Sequence, residues 1–488
     1  MSGNSNYKSI IKGSALFGGT QVITILVNLI RGKIVALLLG PQGVGIMALL
    51  NNTSAMLQQF SSFGTQLSAV REISEYKESE KLEDIVFYLR ILLLLLGFLG
   101  ASVCFLFADL LSNYTFGNDQ YISFFRILSV FIFFTTLSNG ELSVLQGKRE
   151  LKKVATSTIL GSFTGLILGV PLYYFMGING IVPAMIVLAL SGFITNFYLN
   201  KSHSLKHNFQ RTEFSDFAKR TISLGFVLMI SSVIGTVTNY ILIAYMNKSA
   251  GLETVGFFQS ANSITNQYVG LVFTAMSLDY FPKLTANASS KIKVRKLVNE
   301  QVELVLLLIT PLLSLMIIFS DVIVRVLLTE KFFTIVPLLN VMALGIYFKA
   351  SSFPLGYISF AKGDRKVFFW LEGILGNVML ISLNLLGFYY GGIFGLGISF
   401  LVNYILYNGI LFIITKNKYG FRYRKEVVFF MGFLFFLLMQ IYLCSLIENT
   451  LWRYACSVFF LVFQIYYCFR EVDKRIGIVT LIKNKLKK

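Results

Sequence analysis

Residues 13–52 read GSALFGGTQVITILVNLIRGKIVALLLGPQGVGIMALLNN. Two apolar runs flank the turn GPQGVG, and Arg31 and Lys33 are the only charged residues in the stretch. Each run approaches the roughly 20 residues that an α-helix needs to cross a bilayer. The stretch therefore reads as two membrane helices joined by a tight reversal. Basic residues stand outside it, Lys8 and Lys12 before and Arg71, Lys77 and Lys81 after, and none stands at the turn.

Working outward, the pattern repeats to the end of the chain. Fourteen apolar spans are expected at roughly 9–39, 44–70, 84–112, 120–146, 154–176, 179–200, 218–246, 252–281, 298–328, 333–361, 367–390, 393–415, 426–446 and 450–469. Of the 43 Lys and Arg, 34 lie in the N-terminal tail, alternate connections and C-terminal tail. Three (Lys248, Lys331 and Arg453) lie in the other connections and six lie within spans. Basic connections stay in the cytoplasm, so an even count places both termini inside. One span missed or invented would scramble the alternation.

Composition agrees. The chain has 488 residues, 55% of them hydrophobic and only 14% charged, with a mean hydropathy of +0.70. A soluble protein needs far more polar surface, so the class is an all-α integral membrane protein. The net charge of +19 is read as topogenic and favourable to anionic membrane lipid at the inner face, with no nucleic-acid partner. The first apolar run is too long for a secretory signal and shows no cleavage site, so it is expected to remain as a span. Cys104, Cys444, Cys456 and Cys468 have unrelated spacings that fit neither a metal site nor a disulfide framework. The His203–His207 pair falls in a basic connection and is expected to be solvated.

The longest polar break, NKSHSLKHNFQRTEFSDFAKR at 200–220, follows six spans. Six more precede a break at 416–425, and two follow. The expected plan is a six-helix lobe over 1–212, a second over 213–420, and two extra helices with a basic tail over 421–488. The lobes look like repeats. A shift of 211 places Asn28 on Asn239, Gly45 on Gly256 and Asn51 on Asn262, and a shift of 215 places Gly177 on Gly392. An even number of spans in each makes the repeats parallel, related by an axis along the membrane normal. Spans 1, 2, 7 and 8 are the least apolar. Asn28, Asn51, Asn52, Gln58, Asn239, Gln259, Asn262 and Asn266 are costly against lipid tails and are expected to line a wet cavity. Interhelical hydrogen bonding without a ligand is the alternative.

With GPQGVG after span 1, GKRE after span 4 and the 6+6+2 plan, the chain resembles Wzx-type O-antigen and polysaccharide translocases. These belong to the multidrug/oligosaccharidyl-lipid/polysaccharide (MOP) flippase superfamily. The resemblance implies two lobes in a V and alternating access. It also implies export of undecaprenyl-pyrophosphate-linked oligosaccharide across a bacterial inner membrane, with a polysaccharide polymerase and a chain-length regulator as partners. Related peptidoglycan-precursor flippases carry a cavity arginine late in span 1, which Arg31 matches. Their acid and second arginine in span 2 have no counterpart here.

A sugar pyrophosphate cannot cross hydrocarbon unaided, so charges inside spans are candidates for its passage. Arg31, Arg90, Arg126 and Lys349 form the expected cationic set, with Lys349 the deepest, while Lys33 and Arg325 are expected to snorkel. Glu141 is the candidate for H⁺ or Na⁺ coupling, with a structural partner for a buried cation as the alternative. No other cofactor is expected. A cation-coupled multidrug or small-solute exporter is the rival function, and it expects a cavity of acids and aromatics. A membrane enzyme is disfavoured by the short outer connections, and the chain has no nucleotide-binding G-x-x-x-x-G-K-[ST] loop.

Overall fold

The structure, a computed structural model, describes residues 3–200 and 210–476. His203 and His207 lie outside them. All regular elements among the described residues are helical. In chain order they are α1 (Gly3–Ser62), α2 (Thr65–Glu75), α3 (Leu82–Leu106), α4 (Ala108–Phe116), α5 (Ile122–Gly147), α6 (Leu151–Met176) and α7 (Ile181–Leu199). Then follow α8 (Arg211–Ala286), α9 (Lys291–Ile318), α10 (Ser320–Leu327), α11 (Val336–Ala361), α12 (Arg365–Phe368), α13 (Gly376–Tyr419), α14 (Lys425–Ser445) and α15 (Thr450–Ile476). A π-helical stretch, Phe369–Leu375, joins α12 to α13.

By length and composition, nine helical stretches among the described residues are able to cross a membrane, and the protein is multi-pass. Several are too long for one crossing. The 60 residues of α1 would extend about 90 Å if straight, three times a hydrocarbon core. A glycine interrupts each long run. Gly40 breaks α1 at φ 63°, ψ −171°, and Gly251 breaks α8 at φ 83°, ψ 175°. Gly177 has φ 55°, ψ −131° between α6 and α7, and Gly392 has φ 55°, ψ −139° inside α13. Only glycine adopts these angles without strain. The 211-residue shift pairs Gly40 with Gly251 and the 215-residue shift pairs Gly177 with Gly392, and each pair shares its torsions.

The chain divides into two compact units, Met1–Gln259 and Ser260–Lys488. In the first, α3, α5 and α2 share a core that includes Ile73, Leu89, Leu92, Leu93 and Val144. Near its Gly40 turn, α1 lies against the stretch after Gly251. A Cβ on Gly45 would collide with Leu252 O, and one on Gly256 with Pro41 O, so two backbones meet with no side chain between them. In the second unit α11 is central. It packs on α9 and α13 and buries every residue from Leu338 to Tyr347, a run apolar on all sides except at Asn340, as suits a helix at the centre of a bundle. Helices α14 and α15 cover α9, where Ser314 Oγ donates to Gln464 Oε1 at 2.6 Å.

Candidate functional site

The first unit builds a closed polar network at one end of α3, α5 and α7. Arg90 Nε and Nη2 donate to Glu141 Oε1 and Oε2 at 2.6 and 3.0 Å. Asn200 Nδ2, just past α7, donates to Glu141 Oε2 at 2.7 Å, and Lys148 Nζ donates to Asn200 Oδ1 at 3.1 Å. The Arg90 guanidinium also lies over the Phe197 ring, 4.9 Å from its centroid. Burial holds the Lys148 ammonium below its ordinary value. The Glu141 side chain is only 4% exposed, so this charge is tolerated because both of its oxygens are bonded. Arg126 lies elsewhere on the same helix. It is exposed and pairs with Asp109 at 3.5 Å, and the 15 residues between it and Glu141 amount to about 22 Å of helix.

The predicted polar lining of this unit is partly paired. Asn239 Nδ2 donates to Asn52 Oδ1 at 2.5 Å, and Asn52 Nδ2 to Ala48 O at 2.8 Å. Gln58 joins Gln59, Thr65, Gln66 and Asn139 around a cavity of about 160 Å³. Asn28 and Gln259 are half-buried and Asn51 is exposed. Arg31 is half-buried with its guanidinium beside Gly165 of α6, where a Cβ would stand 3.4 Å from Nη1. In the second unit Asn266 Nδ2 donates to Asn262 Oδ1 at 3.0 Å, a bond within one helix face.

The second unit holds a larger cavity, about 450 Å³, between α11, the π-helical stretch and α13. Lys349 of α11 enters it with its ammonium 5.5 Å from the Tyr404 ring centroid. Glu372 enters from the π-helix and is accessible from the cavity. A π-turn shifts the hydrogen-bond ladder by one residue and re-aims side chains, and such turns recur at functional sites. Asn377 Nδ2 takes up the carbonyls of Glu372 and Gly373 at 3.1 and 2.8 Å, which steadies the turn. Gly356 leaves room for the carboxylate, since a Cβ there would stand 2.8 Å from Glu372 Oε1. Tyr407 points its hydroxyl towards this carboxylate, and Asn403 Oδ1 makes no hydrogen bond among the described residues. Sequence reasoning found Lys349 and missed Glu372. Its one signal was a lone carboxylate in the apolar run FFWLEGIL at 368–375.

Solved structures share this fold at low identity. An inward closed lipid II flippase MurJ superposes with a TM-score of 0.72 at 16% identity, covering 96% of this chain and 99% of that one. An inward-facing multidrug resistance MATE transporter of the MOP superfamily gives 0.70 at 16%, covering 81% and 94%. The fold is therefore that of the MOP transporters. Residues 34–337 match the polysaccharide biosynthesis protein family, and the chain belongs to it. The lipid III flippase of Escherichia coli (strain K12) is 22% identical over 412 residues, 82% of this chain and 96% of that protein. The probable lipid II flippase MurJ of Borreliella burgdorferi is 26% identical over 315 residues, 60% of each. These relatives are flippases and transporters, and the protein is not an enzyme.

Proposed function

We propose that the protein flips an undecaprenyl-pyrophosphate-linked oligosaccharide, a surface-polysaccharide repeat unit such as that of O-antigen, between leaflets by alternating access. The observation that carries this reading is the polysaccharide biosynthesis match over residues 34–337. The near full-length similarity to a lipid III flippase supports it. We place the protein in a bacterial inner membrane with both termini cytoplasmic, because the basic connections alternate. Each positive-φ glycine break then reverses the chain, which gives fourteen crossings in two parallel repeats plus two helices. Lys349, with no ion pair among the described residues, offers a cation to an anionic head group. Glu141 we assign to structure, since Arg90 and Asn200 take both its oxygens. An exporter of cationic drugs fits the aromatic, Glu372-bearing cavity less well, because Lys349 shares it.

The test is surface polysaccharide in a deletion strain, with plasmid rescue, alongside inner-membrane lipid-linked intermediates. Loss of polymer with complete intermediates held on the cytoplasmic leaflet is the expected result. Unchanged polymer would move the exporter reading to first place.

A further inference from the structure

We propose that the cavity between Lys349 and Glu372 is a sugar subsite that receives one pyranose ring of the cargo, a role that rests on the flippase reading above. Every described residue lining the cavity belongs to the second unit. Its volume of about 450 Å³ falls in the range of ligand pockets, roughly 300–1,000 Å³.

Three observations select a polyhydroxyl ligand. First, Asn403 is 4% exposed and lines the cavity, and its Oδ1 lacks a hydrogen-bond partner among the described residues, while Tyr407, 8% exposed, directs its hydroxyl to Glu372. Buried polar groups left this way carry a desolvation penalty that a ligand with matching groups removes. An acyl chain does not. Second, the cavity presents a carboxylate that accepts, an ammonium that donates, and amide and phenol groups that act in both senses. Vicinal hydroxyls offer donors and acceptors together. A bare cation would meet Lys349, and a bare anion would meet Glu372. Third, the rings of Phe353, Tyr357 and Tyr404 give the apolar faces against which the C–H side of a pyranose packs. Glu372 lies on the π-turn and lines the cavity with these rings, and Gly356 leaves room for its carboxylate.

Lys349 and Glu372 divide the labour. Lys349 stands over Tyr404, where it is able to meet a phosphate or carboxylate at the edge of the ring. Glu372 and Tyr407 face each other, so one ring hydroxyl donating to the carboxylate leaves a neighbouring oxygen free to accept from the phenol.

The experiment uses the full-length protein in lipid nanodiscs with two probes, undecaprenyl pyrophosphate and undecaprenyl-pyrophosphate N-acetylglucosamine. Wild type is expected to bind the sugar-bearing lipid roughly tenfold or more tightly than the bare carrier. Tyr407→Phe and Asn403→Leu should cut that ratio about fivefold or more while holding affinity for the bare carrier within about twofold. Asn403→Leu should melt as wild type does, because its Oδ1 has no partner among the described residues, and Tyr407→Phe should lose only the contact of its hydroxyl with Glu372. Equal wild-type affinity for the two lipids overturns the subsite and leaves the flippase reading standing. So does an equal loss of both affinities in the variants, or a Tyr407-dependent stabilisation by sodium chloride over choline chloride. Failure of wild type to bind either lipid overturns both.

Discussion

Two intramembrane charge sites in this protein start from the same ingredients, one cation and one carboxylate on neighbouring helices, and end in opposite states. Arg90 and Glu141 are joined at 2.6 Å, with Asn200 and then Lys148 extending the chain of bonds. Lys349 and Glu372 share a cavity, with the amide oxygen of Asn403 beside them left without a partner among the described residues. A closed network holds helices in register and has nothing left to offer a ligand. An open one stores unmet hydrogen-bonding capacity, which is what recognition of a passing polar group requires. The lesson is that a charge in a membrane span marks function only when its own neighbours fail to satisfy it.

The comparison breaks most readily at Lys349. Lys349→Ala is expected to abolish export, scored as surface polymer in the complemented deletion strain. It should lower stability by only about 0.5–1 kcal/mol through the lost contact with Tyr404. Arg31→Ala should share the transport defect. A silent Lys349→Ala would remove the open site from the mechanism.

Glu141→Ala should do the reverse, acting on the fold first. Leaving Arg90 half-buried without its partner costs about 3–5 kcal/mol, read as a lower thermal midpoint and a poor yield of folded protein. Replacing Arg90 and Glu141 together by leucine should recover most of that loss. If Glu141→Ala instead melts normally but fails to transport, the closed network is the working site and the contrast is inverted.

A smaller effect is expected at Asp364, in the turn between α11 and α12. Lys418 Nζ at 2.7 Å, with help from Val367 N–H and Tyr419 OH, holds its carboxyl below the ordinary carboxylate range. Its folded value is depressed, so its stabilising contribution is complete above the unfolded value near 4 and is lost as pH falls through the folded value. Asp364→Asn should make cleavage in the 362–366 turn easier at neutral pH and flatten its dependence on acid. Equal protease sensitivity across pH in wild type would contradict this. The smallest effects belong to Arg126→Ala and Arg325→Ala. Their exposed pairs with Asp109 and Glu330 at 3.5 Å should contribute under about 1 kcal/mol, with export unchanged.

Much of the fold was legible because glycine turns and basic connections are local features of the chain. GPQGVG at 40–45 and its counterpart after Gly251 announce their reversals in composition alone. The candidate site was half legible. Lys349 stands out by depth, but nothing in the sequence joins Arg90 to Glu141, 51 residues away, or brings Asn200 to that carboxylate. Packing of α3, α5 and α7 does that. Glu372 was hidden for another reason. On a regular helix register it sits a turn or two from the basic end, where a carboxylate usually meets water. Glu372 lies on the π-turn and lines the cavity, and a one-residue change of winding leaves no mark on composition. Nor does spacing announce the pairs of Asp321 with Arg453 at 3.2 Å and of Arg325 with Glu330 at 3.5 Å.

The meeting of Gly45 and Gly256 has a consequence for substitution. The contact is backbone against backbone, and even a methyl group at either position would have to push the two stretches apart. The chain therefore has no side chain at that seam with which to tune its strength, and a change there is all or nothing.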